Sequence, residues 1–303
     1  MENEDRPYRH ISEVASSAYK ERMQVAAGEI HYISTGFRAL DEIIYGYGKS
    51  NMIIIAARPS MGKSAFALTS AIHVAKSGIP VGIFSLEMSS EQLALRGVSL
   101  THDIPMHNLM RMDSEVQNSR MLPAFMDIAE LPIFLDDTPG LNMAGFEEKF
   151  SDMISSHEVG IAFIDYMQLL DERSTRSREQ EISKISRMCK RIAKNYSVPV
   201  VALAQLNREV DKRPDKKPML ADLRESGSLE QDADIVLLIY NPAKCGIETY
   251  EDGRGTQGTA EIIVAKHRHG DLGTARLGFD GQYTKFYDLG YRELVSPAYE
   301  DAF

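Results

Sequence analysis

The chain contains no tryptophan and only two cysteines among its 303 residues. Cys189 and Cys245 stand far apart, in no metal or redox spacing, which excludes a disulfide framework and a cysteine metal site. They read as two reduced thiols of an intracellular protein. No apolar run approaches the roughly 20 residues that a membrane-spanning helix needs. The opening residues, Met-Glu-Asn-Glu-Asp, are acidic and polar, unlike a signal or transit peptide, so the expectation is a soluble, cytoplasmic protein with no membrane partner. Positive charge is also in short supply: 34 Lys and Arg face 44 Asp and Glu, a net charge of −10. Wrapping by nucleic acid through bulk charge is excluded, and any such binding needs a local basic surface. No internal repeat stands out at solenoid periods, and the length allows one large or two small domains with a substantial core.

What is present centres on residues 57–64, Ala-Arg-Pro-Ser-Met-Gly-Lys-Ser. The apolar run 51–56 before them reads as a buried strand, and the run from Ala65 onward has helical apolar spacing. Strand, tight loop ending Gly-Lys-Ser, then helix is the layout of a phosphate-binding loop. Gly62 lets the backbone turn its N–H groups around phosphate oxygens, and the helix start adds free donors and a positive dipole end. Lys63 can reach the β- and γ-phosphates, and the Ser64 hydroxyl suits Mg²⁺. Arg58, Ser60, Met61, Gly62, Lys63 and Ser64, with Ala65 at the helix start, form the expected nucleotide-binding set. The strict pattern asks for Gly at the first position, where Ala57 stands. The expected ligand is a nucleoside triphosphate.

Further apolar runs at 80–86, 132–136, 161–169, 198–204 and 234–240 are near-continuous, as in strands buried on both faces of a parallel sheet. Helical stretches at 89–101, 142–156 and 178–196 separate most of them, and Ser89 followed by Gln92 forms a capping box. Residues 102–131 read as a Met-rich insertion of two small helices, and 259–267 with 274–287 alternate like an antiparallel hairpin. Ahead of the core, residues 11–27 form one amphipathic helix ended by Gly28, its apolar stripe covering its own domain or a neighbouring subunit. The expected architecture is α/β: a mostly parallel central sheet flanked by helices, with a C-terminal antiparallel hairpin. Residues 1–28 make the helical segment and 29–303 the main domain.

Several polar residues sit at strand ends, where a doubly wound sheet faces its ligand crevice. Glu87 follows the run 80–86, and is either a carboxylate that polarises an attacking water or an acid favoured by the helix dipole. Asp165 lies late in an apolar strand, where a charge needs a partner such as the hydrated shell of Mg²⁺. Gln205 ends the run 198–204 and can sense a γ-phosphate. His267 and His269 flank Arg268 without a third ligand, which argues against a metal there.

Taken together, Ala-Arg-Pro-Ser-Met-Gly-Lys-Ser, Phe-Ser-Leu-Glu-Met-Ser, Asp-Tyr-Met-Gln-Leu, Ala-Gln-Leu-Asn-Arg, Asp-Leu-Arg-Glu-Ser-Gly-Ser-Leu-Glu-Gln-Asp-Ala-Asp and Ala-Lys-His-Arg-His-Gly resemble the C-terminal, RecA-like motor domain of DnaB-type replicative helicases. They occur in that family's order and cover the chain from about residue 30 to 290. The resemblance implies a RecA-like P-loop NTPase that hydrolyses ATP with Mg²⁺, translocates on single-stranded DNA and separates the duplex. It assigns Lys63 and Ser64 to the phosphates and Mg²⁺, Asp165 to support of the metal, and Glu87 to activation of water. Gln205 would couple the γ-phosphate to the DNA-binding loop. Lys266 and Arg268 would reach from one subunit into the nucleotide site of the next. Arg224, Glu225 and Gly227 would grip single-stranded DNA in the channel of a six-subunit ring. Residues 11–27 fit the family's linker helix, which docks on an adjacent subunit, and a helicase loader is a further implied partner. The family's N-terminal domain has no counterpart in the sequence, so collar formation and primase contact are not carried over.

The residues also speak directly to DNA. Residues 208–224 hold six basic groups in a loop marked by Pro214 and Pro218, and Arg173, Arg176 and Arg178 form a second basic loop. Both are either solvated surface or an electrostatic grip on phosphates. Asn241-Pro242 stands where the family has a basic residue, and 241–258 matches no assignable element. Two rivals share the phosphate loop: a RecA-type recombination or repair ATPase, and a non-hydrolysing ATP-dependent scaffold. The Arg-Glu-Ser-Gly-Ser segment and the Lys266–Arg268 pair favour the helicase over the first, and the presence of Glu87 and Arg268 over the second.

Overall fold

The structure, a computed structural model, describes residues 8–26, 32–111, 115–165, 167 and 178–290. The chain divides into two compact units, Met1–Ile33 and Ser34–Phe303. The first contains α1 (Ile11–Ala26), whose side chains Ile11, Tyr19 and Met23 are exposed, and in which Arg22 donates to the Tyr32 hydroxyl at 2.9 Å. The expected helix is therefore present, and residues 27–31 that follow it lie outside the described part.

The second unit is built on one nine-stranded sheet. In chain order its elements are α2 (Arg38–Ile44), β1 (Met52–Ala57), α3 (Lys63–Lys76), β2 (Val81–Ser85), α4 (Ser90–His102), α5 (Met106–Arg111), α6 (Glu115–Ala129), β3 (Ile133–Asp136), α7 (Met143–His157) and β4 (Ile161–Asp165). There follow α8 (Arg178–Tyr196), β5 (Val200–Gln205), α9 (Gly227–Asp232), β6 (Ile235–Tyr240), β7 (Thr259–His267), β8 (Gly273–Asp280) and β9 (Lys285–Asp288). The strand order is β3-β2-β4-β5-β1-β6-β7-β8-β9. The first six are parallel; β7, β8 and β9 are antiparallel to their neighbours. The central strands are buried at every position except Gln205, which explains why they read as unbroken apolar runs rather than alternating ones.

Helices close both faces. Ile182, Ile185, Cys189, Ile192 and Ala193 recur at helical spacing on α8 and pack with Phe84, Phe146 and Phe150 into the main core. Cys189 is fully buried, and burial pushes its thiol up to about 12, so it behaves as a small apolar side chain. Across the sheet, α3 is buried along most of its length, with Phe66 between Phe37 and Phe286 at 4.9 and 5.4 Å. The Ser89 capping box is present, its hydroxyl accepting from the Gln92 N–H.

Three details differ from the expectation. The C-terminal run 274–287 is two strands rather than one: a turn after Asp280 lets β9 fold back on β8, so the hairpin becomes a three-stranded meander. The strand expected over 161–169 ends at Asp165, and residues 166 and 168–177 lie outside the described part. Residues 241–258 hold a 3-10 turn at Ala243–Cys245 and a bridge between Thr249 and Gly255. The described helices include none long and apolar enough to cross a membrane.

Candidate nucleotide site

The parallel register brings the candidate residues to one end of the sheet. Ala57 pairs with Gln205 and Ser85 with Asp165, so the ends of β1, β5, β2 and β4 open onto the same crevice. The loop after β1 turns into α3 through Gly62, whose φ of 98° is left-handed. Its backbone alone would favour glycine, and its surroundings require it. A Cβ there would meet the Phe286 ring at 3.0 Å and Phe279 at 3.3 Å. Those two rings, 4.8 Å apart, come from the meander, so the antiparallel strands form a floor beneath the phosphate loop. Ser60 is also held at positive φ, 66°, a costly setting for a side-chain-bearing residue and common at functional loops.

A cavity of about 440 Å³ lies over this loop, lined by Arg58, Ser60, Gly62, Lys63, Ser64, Ala65, Glu87 and Gln205 among others. Lys63 Nζ stands 3.6 Å from Asp165 Oδ1. Burial lowers the Lys63 pKa, opposed by the charges of Asp165 and Glu87. Asp165 is 7% exposed, and its Oδ1 is buried without a hydrogen-bond partner. A buried carboxylate oxygen with an unmet valence beside a hydroxyl and a phosphate-sized space suits a hard divalent cation. Among the described residues no group of three or more His, Cys, Asp and Glu could hold a metal. Such an ion would therefore depend on Ser64, Asp165, phosphate oxygens and water. Glu87 is exposed in the short turn between β2 and α4, inside the cavity.

Two members of the expected set face elsewhere. The Arg58 guanidinium donates to Asp211 at 2.7 Å and to the Leu206 carbonyl at 2.9 Å. Met61 lines a small separate pocket with Leu206, Val210 and Tyr240. Conversely, Arg96, Lys244, Phe279 and Thr284 line the main cavity without having been singled out in the sequence. Lys244 comes from the unassigned connection; it donates to the Ser60 carbonyl and stands 5.0 Å from the Phe279 ring centre. No local pattern announces it.

Lys266 and Arg268 are not in this cavity. They lie where β7 pairs with the beginning of β6 (Ile235 opposite His267), beside the start of β1. β1, six residues long, separates that end from the phosphate loop by about 16 Å at ~3.3 Å per residue. These two side chains therefore face away from their own chain's phosphate site.

The basic run 208–224 is more self-contained than its composition implies, because it also carries Glu209, Asp211, Asp215 and Asp222. Arg213 clamps the buried carboxylate of Asp222, Lys212 pairs with Glu209, and Lys217 stands 3.5 Å from Glu261. Those pairs turn half of the expected basic surface inward. The backbone of Arg224 and Glu225 lies in the 3-10 turn Leu220–Ser226, and Gly227 opens α9. Their side chains, together with Arg173, Arg176 and the Arg178 side chain, lie outside the described residues.

Comparison with known proteins agrees with this architecture. The sequence model of the DnaB-like helicase C-terminal domain matches residues 32–288. The chain is 40% identical over 291 residues to the replicative DNA helicase DnaC of Bacillus subtilis, covering 94% of this chain and 63% of that protein. It is 42% identical over 278 residues to a probable replicative DNA helicase of Trieres chinensis, covering 89% and 59%. The chain thus spans about 60% of the length of these relatives. Among solved structures, a helicase ATPase domain superposes with a TM-score of 0.85 at 36% identity, covering 93% of this chain and 99% of that one. A DnaB-like replicative helicase, described with its interactions with primase, gives 0.81 at 34% identity, covering 93% and 67%. The fold is that of a RecA-like helicase ATPase domain, and neither the recombinase nor the scaffold reading is favoured by these relatives. With a family model matched across the whole sheet and solved relatives superposing along nearly its entire length, the chain belongs to the DnaB-like helicase C-terminal domain family.

Proposed function

We propose that this chain is the motor of a replicative helicase, which hydrolyses ATP to move along single-stranded DNA in the cytoplasm and part the duplex. The observation that carries the reading is the crevice where a desolvated Lys63, a partnerless Asp165 oxygen, Glu87 and Gln205 meet over a phosphate loop. Lys63 and the loop N–H groups would bind the β- and γ-phosphates, whose charge offsets the desolvation of the ammonium. Ser64 and Asp165 would hold Mg²⁺, which supplies charge neutralisation on the phosphates when bound. Glu87 would accept the proton of the attacking water, and Gln205, at the end of β5, would sense the γ-phosphate and pass its state to the segment that follows.

Arg268 and Lys266 would act on the nucleotide of an adjacent subunit, since their own phosphate loop is at the far end of β1. That requires an assembly, and a six-membered ring with α1 docked on a neighbour fits the reading. Arg224, Glu225 and Gly227 would contact single-stranded DNA through its backbone. A loader is a fitting partner for such a ring; contact with primase is not assigned to this chain.

The test is hydrolysis of ATP with and without single-stranded DNA, together with unwinding of a forked duplex. The expected result is DNA-stimulated turnover and unwinding, both abolished in Lys63→Ala through loss of nucleotide binding. Filaments on DNA with strand exchange and no unwinding would replace the helicase reading by a recombinase one.

A further inference from the structure

Arg268 and Lys266 are braced, and the brace has a centre. Arg268 Nη1 donates to Asp234 Oδ1 at 2.9 Å and Nη2 to the Gln231 carbonyl at 3.2 Å. Lys266 Nζ donates to the carbonyls of Glu230 and Gln231 at the end of α9. Asp234 is 3% exposed, and its two oxygens divide their partners. Oδ2 accepts the Met52 N–H at 2.8 Å and Lys190 Nζ at 2.5 Å, and Lys190 also donates to the Ser50 carbonyl at 3.1 Å. Those contacts join α8, the turn before β1, β1 itself and the start of β6. Oδ1 takes Arg268.

The Oδ2 contacts are what the fold needs. The Oδ1 contact is not needed for strand pairing, because the Arg268 backbone N–H already donates to the Asp234 carbonyl at 2.8 Å. Its side chain is 42% exposed. A half-exposed arginine otherwise keeps its rotamer freedom, and fixing it costs about 2 kcal/mol. Two of its five N–H donors are held by Asp234 and Gln231, which fixes the plane of the fork from which the others project. We propose that Asp234 is the positioning residue for Arg268. Its buried carboxylate, anchored to the sheet through Oδ2, presents the guanidinium in the one orientation that serves the nucleotide bound by the adjacent subunit. This rests on the reading of Arg268 as a residue acting between subunits.

Asp234→Asn separates the two ends of the carboxylate. The amide oxygen still accepts from Met52 and Lys190, while the NH₂ group turned toward Arg268 opposes donor to donor and releases it. In the assembled protein with single-stranded DNA, kcat for ATP is expected to fall at least ~10-fold, the scale of a misplaced catalytic group. KM for ATP and affinity for ADP should stay within about twofold. Lys190→Met, which disturbs only the Oδ2 end, should lower the melting temperature and leave kcat within about twofold.

The decisive arm mixes subunits. Lys63→Ala subunits bind no nucleotide yet offer an intact Arg268, so adding them to Asp234→Asn subunits should restore turnover at the mixed interfaces. Arg268→Ala mixed with Lys63→Ala is the reference. If that reference complements and the Asp234 pair does not, although native mass spectrometry shows co-assembly, Asp234 acts through its own subunit's fold and the proposal is overturned. If neither pair complements, the intersubunit reading of Arg268 falls, and the proposal with it. An unchanged kcat in Asp234→Asn also overturns it. Should Asp234→Asn not fold, Asp234→Glu, which keeps the anion but displaces it, carries the same mixing test.

Discussion

At the C-terminal ends of β1, β2, β4 and β5, Lys63 and Asp165 face each other at 3.6 Å across a cavity, and Asp165 Oδ1 has no hydrogen-bond partner. At the starts of β1 and β6, by contrast, Asp234 accepts from Met52, Lys190 and Arg268, and every one of those contacts is 2.9 Å or shorter. The two ends belong to the same strands and contain similar charges. What differs is completion. A buried charge lacking partners is expensive unless a ligand supplies them, so the first end is built to be completed by phosphate and cation. The second end is already satisfied, which makes it stiff and suits it to present a side chain outward rather than to enclose a ligand.

Arg268 offers the strongest test of that difference. Arg268→Ala should reduce DNA-stimulated turnover by roughly 10³–10⁵, the range for an arginine that stabilises phosphoryl transfer. Its nucleotide affinity should stay unchanged, because its own phosphate loop is remote. Restored turnover on mixing with Lys63→Ala subunits would show that the two ends serve different subunits; an affinity for ATP that falls with kcat would show that they serve the same one. Next in size is Glu87→Gln, expected to slow single-turnover hydrolysis by about 10²–10⁴ while ATP still binds. Near-normal hydrolysis would leave Glu87 as an acid favoured by the start of α4 and nothing more.

Lys190→Met probes the satisfied end for stability instead. Removing a charged donor from Asp234 should cost roughly 1.5–3 kcal/mol in chemical denaturation with nucleotide binding intact. A cost near zero would mean that the brace is slack. The smallest effect is expected at Arg224. Arg224→Ala should reduce the slope of log affinity for single-stranded DNA against log salt by about 0.7, equally for all base sequences. An unchanged slope would move the DNA path away from the turn that leads into α9.

How much of this was readable from the chain depends on the range of the interaction. β1, the phosphate loop and α3 are written in consecutive residues, because a strand buried on both faces and a Gly-Lys-Ser turn are local statements. α2 was not foreseen. Its first N–H groups, at Arg38 and Ala39, are capped by Asp288 from β9 rather than by a neighbouring side chain. Lys244 escaped notice for the same reason: only the fold of 241–258 carries it to Ser60. The run 208–224 misled in the opposite direction, since its charge count could not reveal that Arg213 is taken up by Asp222. The split of 274–287 into β8 and β9 turns on a tight reversal after Asp280 that apolar alternation does not mark.

Residue order alone settles the α/β class, the parallel strands, the phosphate loop and the identity of the residues able to act on a triphosphate. Each follows from hydrophobic period, turn chemistry or residue type within a short window. Which of those residues meet is settled only when the chain is packed. Packing placed Gln205 beside Ala57 and Asp165 beside Ser85, and it set Phe279 and Phe286 under Gly62. It also sent Lys266 and Arg268 to the opposite end of β1 from the loop they would otherwise be grouped with. The physical reason is that register and strand order are fixed by packing of whole faces against α3, α7 and α8. Contacts between strands distant in sequence therefore depend on the assembled core and leave no local trace.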